Sequence, residues 1–523
     1  MIESSIQTVI NNCTKLLQSL PLTRYWVGRQ NERQAQIDEL LAQQKAATSY
    51  KEWEEISIKL DEYLNNEVWK QTKESDLYDY KLVEERLNEL REARKLKDYP
   101  KLLYLVRTTW TRNTGNIGNV NLYRHSYVGT KKLIEDYIKE CEKALQLLID
   151  PSNPIDDGYL LSMLIQTRKA IGRTALVLSG GGCFGIFHIG VLSNLLELNL
   201  LPRIISGSSA GAIMASILCV QSPEETILLI STIEHRTFDI FNETNKEEGF
   251  LVYLARFLKY GTLFDNRYLR KTMIGFLGDL TFRESYNRTG RILNVTVSSV
   301  SIHEQPTLLN YLTAPNVLIW SAVCASCSLP GIFSSSTIYE KNLETGAMQE
   351  WNHASVKFVD GSVDNDLPIK RLSEMFNVDH IIACQVNPHV VPFLKMSIAC
   401  VGGETENEYS AKIKAYLSYA YDLFSSEVIH YLEVMSELGI AKNLSTKLRS
   451  VLSQQYSGNV TILSDLKFTE LNKLLVNPTP EFLLDATVRG TRATWPKITI
   501  IRNHCATEFA LDKSIILLRS RLI

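Results

Sequence analysis

The chain has 523 residues, 45% of them hydrophobic and 22% charged. That composition builds full cores for about two to four ordinary domains, and it excludes a disordered or fibrous chain. A formal net charge of −2, with no run of five or more basic residues, excludes an electrostatic nucleic-acid footprint and a strongly acidic partner.

The opening stretch, MIESSIQTVINNCTKLL, has neither the positive start nor the apolar centre of a secretory leader. The nine Cys are scattered, so reduced thiols in a cytosolic compartment are expected. Residues 1–150 read as a helical accessory domain. Arg29 to Asn66 is polar and helix-prone, and Leu133, Tyr137, Ile138, Cys141, Leu145 and Leu148 recur at helical spacing. The linker DPSNPIDDG, Asp150 to Gly158, closes this part.

After Ala170 the pattern becomes α/β. Strands are expected at 174–179, 202–206, 291–297, 356–360, 380–386 and 459–463, with helices between most of them. That alternation predicts a largely parallel sheet with helices on both faces, in a catalytic domain over about 170–390. Residues 391–523 read as a mainly helical extension. The most apolar stretch, Asn316 to Phe333, carries three Ser and ends near Pro-Gly, so it reads as core rather than as a membrane span. Its CxxC, Cys324 and Cys327, has no second pair, so no zinc site is expected.

The first expected strand runs into LSGGGCFGIFHIG, where Gly180, Gly182 and Gly185 fit GxGxxG. A dinucleotide site also needs a carboxylate at the end of the second strand. That strand ends instead in GSSAG: Gly207, Ser208, Ser209, Ala210, Gly211. A GxSxG turn between strand and helix strains the central Ser and projects its hydroxyl at a helix N-terminus. Ser209 is therefore the expected nucleophile. Gly180, Gly181 and Gly182, after a neighbouring parallel strand, offer backbone N–H groups for an oxyanion. For the base, His380, His389, His430 and His504 fit the chain order of an α/β-hydrolase triad. Asp360, which ends a strand before Gly361, is the alternative. Asp364 and Asp366 follow, but Asn365 stands where a calcium loop needs Gly, so calcium is rejected. His188, one turn past the glycines, reads as a packed histidine.

In this order GGGCFG, GSSAG and DGS resemble the patatin-like phospholipase family, whose members use a Ser–Asp dyad on a three-layer α/β/α fold without a metal. Longer stretches, including LLPRIISGSSAGAI and FVDGSVDNDLPIKRLSEMFNVDHIIACQVNPH, are similar to the fungal and plant triacylglycerol lipases of lipid droplets, the yeast branch above all. SYKEWEEISIKLDEYLNNEVWK and RTTWTRNTGNIGNVNLYRHSYVGTKKLIEDYI resemble the uncharacterised N-terminal domain those lipases share. The resemblance covers about residues 20–520. It implies Ser209 as nucleophile, Asp360 as proton acceptor, and Gly180, Gly181 and Gly182 as oxyanion hole with the Cys183 N–H as a further contributor, with no cofactor. It further implies an acylglycerol substrate, most of all triacylglycerol, met at a lipid-droplet or membrane surface, with a cytosolic or endoplasmic reticulum pool. Ser362 and Cys183 replace residues the family more often has as Gly or Ala, and both are small. Acyltransfer to another alcohol remains open through an acyl-Ser intermediate, although no His is followed by Asp at the HxxxxD spacing. HVVPFLKMSIACV, His389 to Val401, reads either as a loop dipping into lipid or as buried core. Tyr311 to Phe333 is expected to shape the acyl pocket.

Overall fold

The computed structural model describes residues 21–523 apart from 233–237, 243–255, 257, 260, 300–306, 352–357, 361–365, 389, 395–399, 401, 404, 406–407, 439–453, 455 and 466–467. The N-terminal part is helical, as its periodicity predicts. Asp79, Asp98 and Asp156 cap helices Tyr80–Lys95, Tyr99–Thr109 and Asp157–Ile171, accepting N–H groups of Leu82, Lys101 and Tyr159. Helix Lys132–Leu148 buries Tyr137, Ile138, Cys141, Leu145 and Leu148 along one face.

Among the described residues nine strands follow: β1 Arg173–Leu178, β2 Ile204–Gly207, β3 Ile292–Ser299, β4 Thr307–Leu309, β5 Tyr339–Lys341, β6 Met348–Glu350, β7 Phe358–Asp360, β8 Val378–Gln385 and β9 Val460–Leu463. The main sheet runs β4-β3-β2-β1-β8-β9. β1, β2, β3, β8 and β9 are parallel, while β4 and β7 pair antiparallel with β3. Successive residues of β1 point to opposite faces. Leu176 and Leu178 join the larger core with helices Phe187–Glu197 and Ala210–Val220; Ala175 and Val177 pack with Leu372 and Phe376 of helix Ile369–Phe376. The result is the expected three-layer α/β/α arrangement with a mainly parallel sheet. β4 and the β5–β6 hairpin were not anticipated, because three-residue strands carry too little periodicity.

The large core passes without a break from the N-terminal helices through one sheet face to helix Ile498–Leu522. β9, an edge strand of the sheet, comes from the C-terminal region. At the base of the sheet Arg112 and Arg168 both bind the buried carboxylate of Glu508, at 3.0 and 2.6 Å. Arg112 also holds Asp379, beside the start of β8, and the hydroxyl of Thr174. Behind the glycine loop, helices Phe187–Glu197 and Pro480–Thr494 cross with backbones in contact. A Cβ on Gly190 would lie 1.9 Å from the Thr487 carbonyl oxygen, and one on Gly490 would lie 2.1 Å from that of Phe187.

Candidate active site

β2 ends at Gly207, and the chain turns sharply into helix Ala210–Val220. Ser209 takes φ 51° and ψ −121°. That backbone costs a residue with a Cβ about 1–3 kcal/mol, and such strain gathers at functional sites. The turn is held on several sides. Ser208 N–H donates to the Leu178 carbonyl at 3.2 Å, and Gly211 N–H to the Ser208 carbonyl at 2.9 Å. Ser209 N–H donates to Ser326 Oγ at 2.9 Å, and that hydroxyl donates onward to the Thr296 carbonyl. The motif glycines are steric requirements. A Cβ on Gly211 would meet the Leu178 oxygen at 2.2 Å, one on Gly207 the Gly211 oxygen at 2.3 Å, and one on Gly185 the Ala210 Cβ at 2.5 Å.

Asp360 reaches the same place from the other side. Val297 pairs with Thr307 of β4 and with Asp360 of β7. A strand residue has only two edges, so β7 lies on the β2 side of β3, beyond the point where β2 stops. Gly207 is opposite Val295 there, and Asp360 opposite Val297. Asp360 is buried, and its N–H donates to the Ser328 carbonyl at 3.1 Å. Gly361, its expected turn partner, lies outside the described residues.

Ser209 and Asp360 line one cavity of about 310 Å³ together with Gly181, Gly182 and Ala210. Its remaining wall is mostly apolar, with Ile213, Phe241, Leu329, Phe333 and Leu475. Of the stretch Tyr311 to Phe333, only the end from Cys327 onward reaches this wall. Phe241, Phe264 and Phe333 pack their rings together, 5.1–5.8 Å between centroids. Cys327 lines the same cavity; burial and the Asp360 carboxylate push its thiol up, so it stays neutral.

The four expected oxyanion donors separate into two kinds. Gly180 N–H is taken by Asp366 Oδ1 at 2.9 Å, and Cys183 N–H by the Leu474 carbonyl at 3.0 Å. Neither is free to meet a substrate. Gly181 and Gly182 N–H have no acceptor among the described residues, and both glycines border the cavity. Ala210 N–H, first in its helix, is likewise unengaged there. Gly182 has φ 57°, and a Cβ on it would lie 2.5 Å from the Leu474 oxygen.

No described histidine borders the cavity. His188 is buried, with Nε2 at 3.0 Å from the Ser179 carbonyl and Nδ1 at 3.1 Å from Cys384 Sγ; burial pulls its pKa down to about 4. It is the packed histidine the sequence suggested. His380 and His504 pair with each other at 3.0 Å, at the opposite end of the strands from Ser209. His430 sits on the exposed helix Glu408–Glu437, and His389 lies outside the described residues. The triad alternative therefore fails for His380, His430 and His504, and Asp360 is the carboxylate that lines the same cavity as Ser209. Most of the His389–Val401 run lies outside the described residues; Val390 and Val391 are buried. Among the described residues no helix is long and apolar enough to cross a membrane.

Two residues of the site escaped the sequence reading. In the sequence Asp366 reads only as part of a rejected calcium loop. Asn387 gave no signal beyond its place after a strand, yet it lines the cavity and donates to Asp366.

Comparison with known proteins gives the same outline. The profile of the patatin-like phospholipases matches residues 176–372, and that of a domain of unknown function (DUF3336) matches residues 29–169. Triacylglycerol lipase 4 of Saccharomyces cerevisiae is 59% identical over 94% of this chain, and triacylglycerol lipase 5 of the same yeast is 53% identical over 94%. Triacylglycerol lipase ptl3 of Schizosaccharomyces pombe is 41% identical over 91%. The matched region spans 54%, 67% and 96% of those three proteins respectively.

Proposed function

Because the chain belongs to the patatin-like phospholipase family, we propose that it is a triacylglycerol lipase working through Ser209 and Asp360. The observation that carries this reading is the convergence of a strained Ser209, a buried Asp360 and the unengaged Gly181 and Gly182 N–H groups on one apolar cavity. The choice of triacylglycerol over other esters follows the three relatives, each named a triacylglycerol lipase.

An acyl chain lies along the apolar wall, and its ester carbonyl sits over Ser209. Ser209 Oγ attacks the carbonyl carbon as its proton passes to Asp360. The carbonyl oxygen becomes an oxyanion and accepts the N–H groups of Gly181 and Gly182, with Ala210 N–H at the helix N-terminus as a third donor. Collapse expels the diacylglycerol alkoxide, which takes the proton back from Asp360 and leaves acyl-Ser209. Water then attacks the acyl-enzyme, giving its proton to Asp360, and the fatty acid departs as Ser209 is reprotonated. Every step uses protein groups and water alone. Triacylglycerol collects in droplets, so the surface of a lipid droplet is the proposed place of action.

The test is fatty-acid release by the purified chain beside Ser209→Ala. Triolein emulsion, phosphatidylcholine vesicles, and lysophosphatidic acid with acyl-CoA are offered in parallel. Release from triolein that disappears in the variant is the expected result. Ser209-dependent turnover of only the other lipids reassigns the substrate to a phospholipase or an acyltransferase. A folded wild type with no Ser209-dependent turnover ends the enzyme reading and leaves a droplet scaffold.

A further inference from the structure

Asp366 stands where the parts of the site meet. Its side chain is fully buried, on the segment that follows Asp360. One carboxylate oxygen accepts Gly180 N–H at 2.9 Å; the other accepts Asn387 Nδ2 at 2.7 Å and Gln385 Nε2 at 3.3 Å. Its backbone carbonyl accepts the Ser208 hydroxyl at 2.8 Å, and its N–H donates to Gln454 Oε1 at 2.9 Å. One residue thus grips the loop bearing Gly181 and Gly182, the residue before Ser209, and Asn387 on the cavity wall.

We propose that Asp366 is a positioning residue: it ties the glycine loop to the serine elbow and so sets where the Gly181 and Gly182 N–H groups stand relative to Ser209 Oγ. This rests on the hydrolase reading above. The chemistry of the surroundings asks for a carboxylate. Three donors face its two oxygens, and an ionised carboxylate is acceptor-only. A protonated acid, or a carboxamide, turns an O–H or N–H toward those donors and breaks a bond. The geometry of a reacting site is sensitive to this, since a displacement of about 1 Å costs on the order of 10²-fold in rate.

The carboxylate also carries a cost that a purely structural residue would not. Burial pushes the Asp366 acid up to about 7; the Gly180, Gln385 and Asn387 donors oppose that push, and the Asp360 charge adds to it. The folded pKa lies above the ordinary carboxylate value of 3.8, so the fold favours the protonated acid, and its contribution to stability is lost as pH rises through about 7. The ionised form that organises the loop is the less stable form. Turnover and stability therefore respond to Asp366 in opposite senses.

The experiment uses the full chain as wild type, Ser209→Ala, Asp366→Asn and Asp366→Ala. It measures hydrolysis of a soluble p-nitrophenyl ester from pH 6 to 9, labelling of Ser209 by a fluorophosphonate, and Tm at pH 8. For Asp366→Asn the expected result is a kcat lowered about 10–100-fold with KM within about twofold. The wild-type loss of rate below about pH 7 disappears, and Tm at pH 8 is equal to or above wild type. Asp366→Ala slows labelling further. Rates and pH profile of Asp366→Asn that superimpose on wild type overturn the proposal. So does a Tm that falls in step with kcat in both variants. A wild type that labels at Ser209 in an Asp366-dependent way but turns over no ester supports the positioning role while sinking the hydrolase reading.

Discussion

Gly207 and Asp360 occupy one edge of β3 two residues apart, opposite Val295 and Val297. β2 delivers the serine turn from one end of that edge and β7 delivers the carboxylate from the other, about 7 Å along the strand. Their meeting is set by backbone pairing and does not depend on the Asp360 side chain.

Asp360→Asn should therefore keep the fold and lose the chemistry. A general base contributes about 10²–10⁴-fold, and a loss of that size in kcat is expected with a Tm near wild type. Ester hydrolysis and thermal unfolding measured on the same preparation decide it. A kcat within about threefold of wild type would remove Asp360 from the mechanism.

Arg112 carries a different expectation. It joins the N-terminal helical part to Asp379, Thr174, the His504 carbonyl and the buried Glu508. Arg112→Ala leaves Glu508 with Arg168 and loses about 3 kcal/mol, near the lower end for breaking a buried pair. Fluorophosphonate labelling of Ser209 below the melting transition should stay at the wild-type rate. Urea unfolding that shifts by less than about 0.5 kcal/mol would mean that this network behaves as a surface one.

The buried histidines predict acid sensitivity. Burial holds His188 and His504 down to about 4, against an ordinary 6.5. Unfolded chains bind those protons first, so stability is full above about 6.5 and falls as pH drops toward about 4. Chemical denaturation at pH 7.5 and 5 should show this fall in wild type and a smaller one in His188→Gln. Equal falls in both proteins would contradict it.

The placing of Ser209 and Asp360 at one cavity was legible because each sits where backbone geometry narrows the choice of residue. A strand that turns at once into a helix needs Gly207 and Gly211 beside Ser209, since a Cβ at either would strike backbone. The state of the glycine loop was not legible. Whether Gly180 N–H is free depends on Asp366, and whether Cys183 N–H is free depends on Leu474, both remote in sequence. Strand direction was hidden for a similar reason: the residues of β7 look the same whether it pairs parallel or antiparallel. The ring cluster of Phe241, Phe264 and Phe333 draws on three separate segments with no shared pattern.

The crossing at Gly190 and Gly490 bears on how such a chain can be recombined. Each glycine admits the other helix's backbone, and a side chain on either is refused by a carbonyl of its neighbour. The two positions, 300 residues apart, behave as a single inherited character. A chimera that takes its glycine-loop helix from one parent and its C-terminal helices from another must carry glycine from both, or the glycine loop loses its backing.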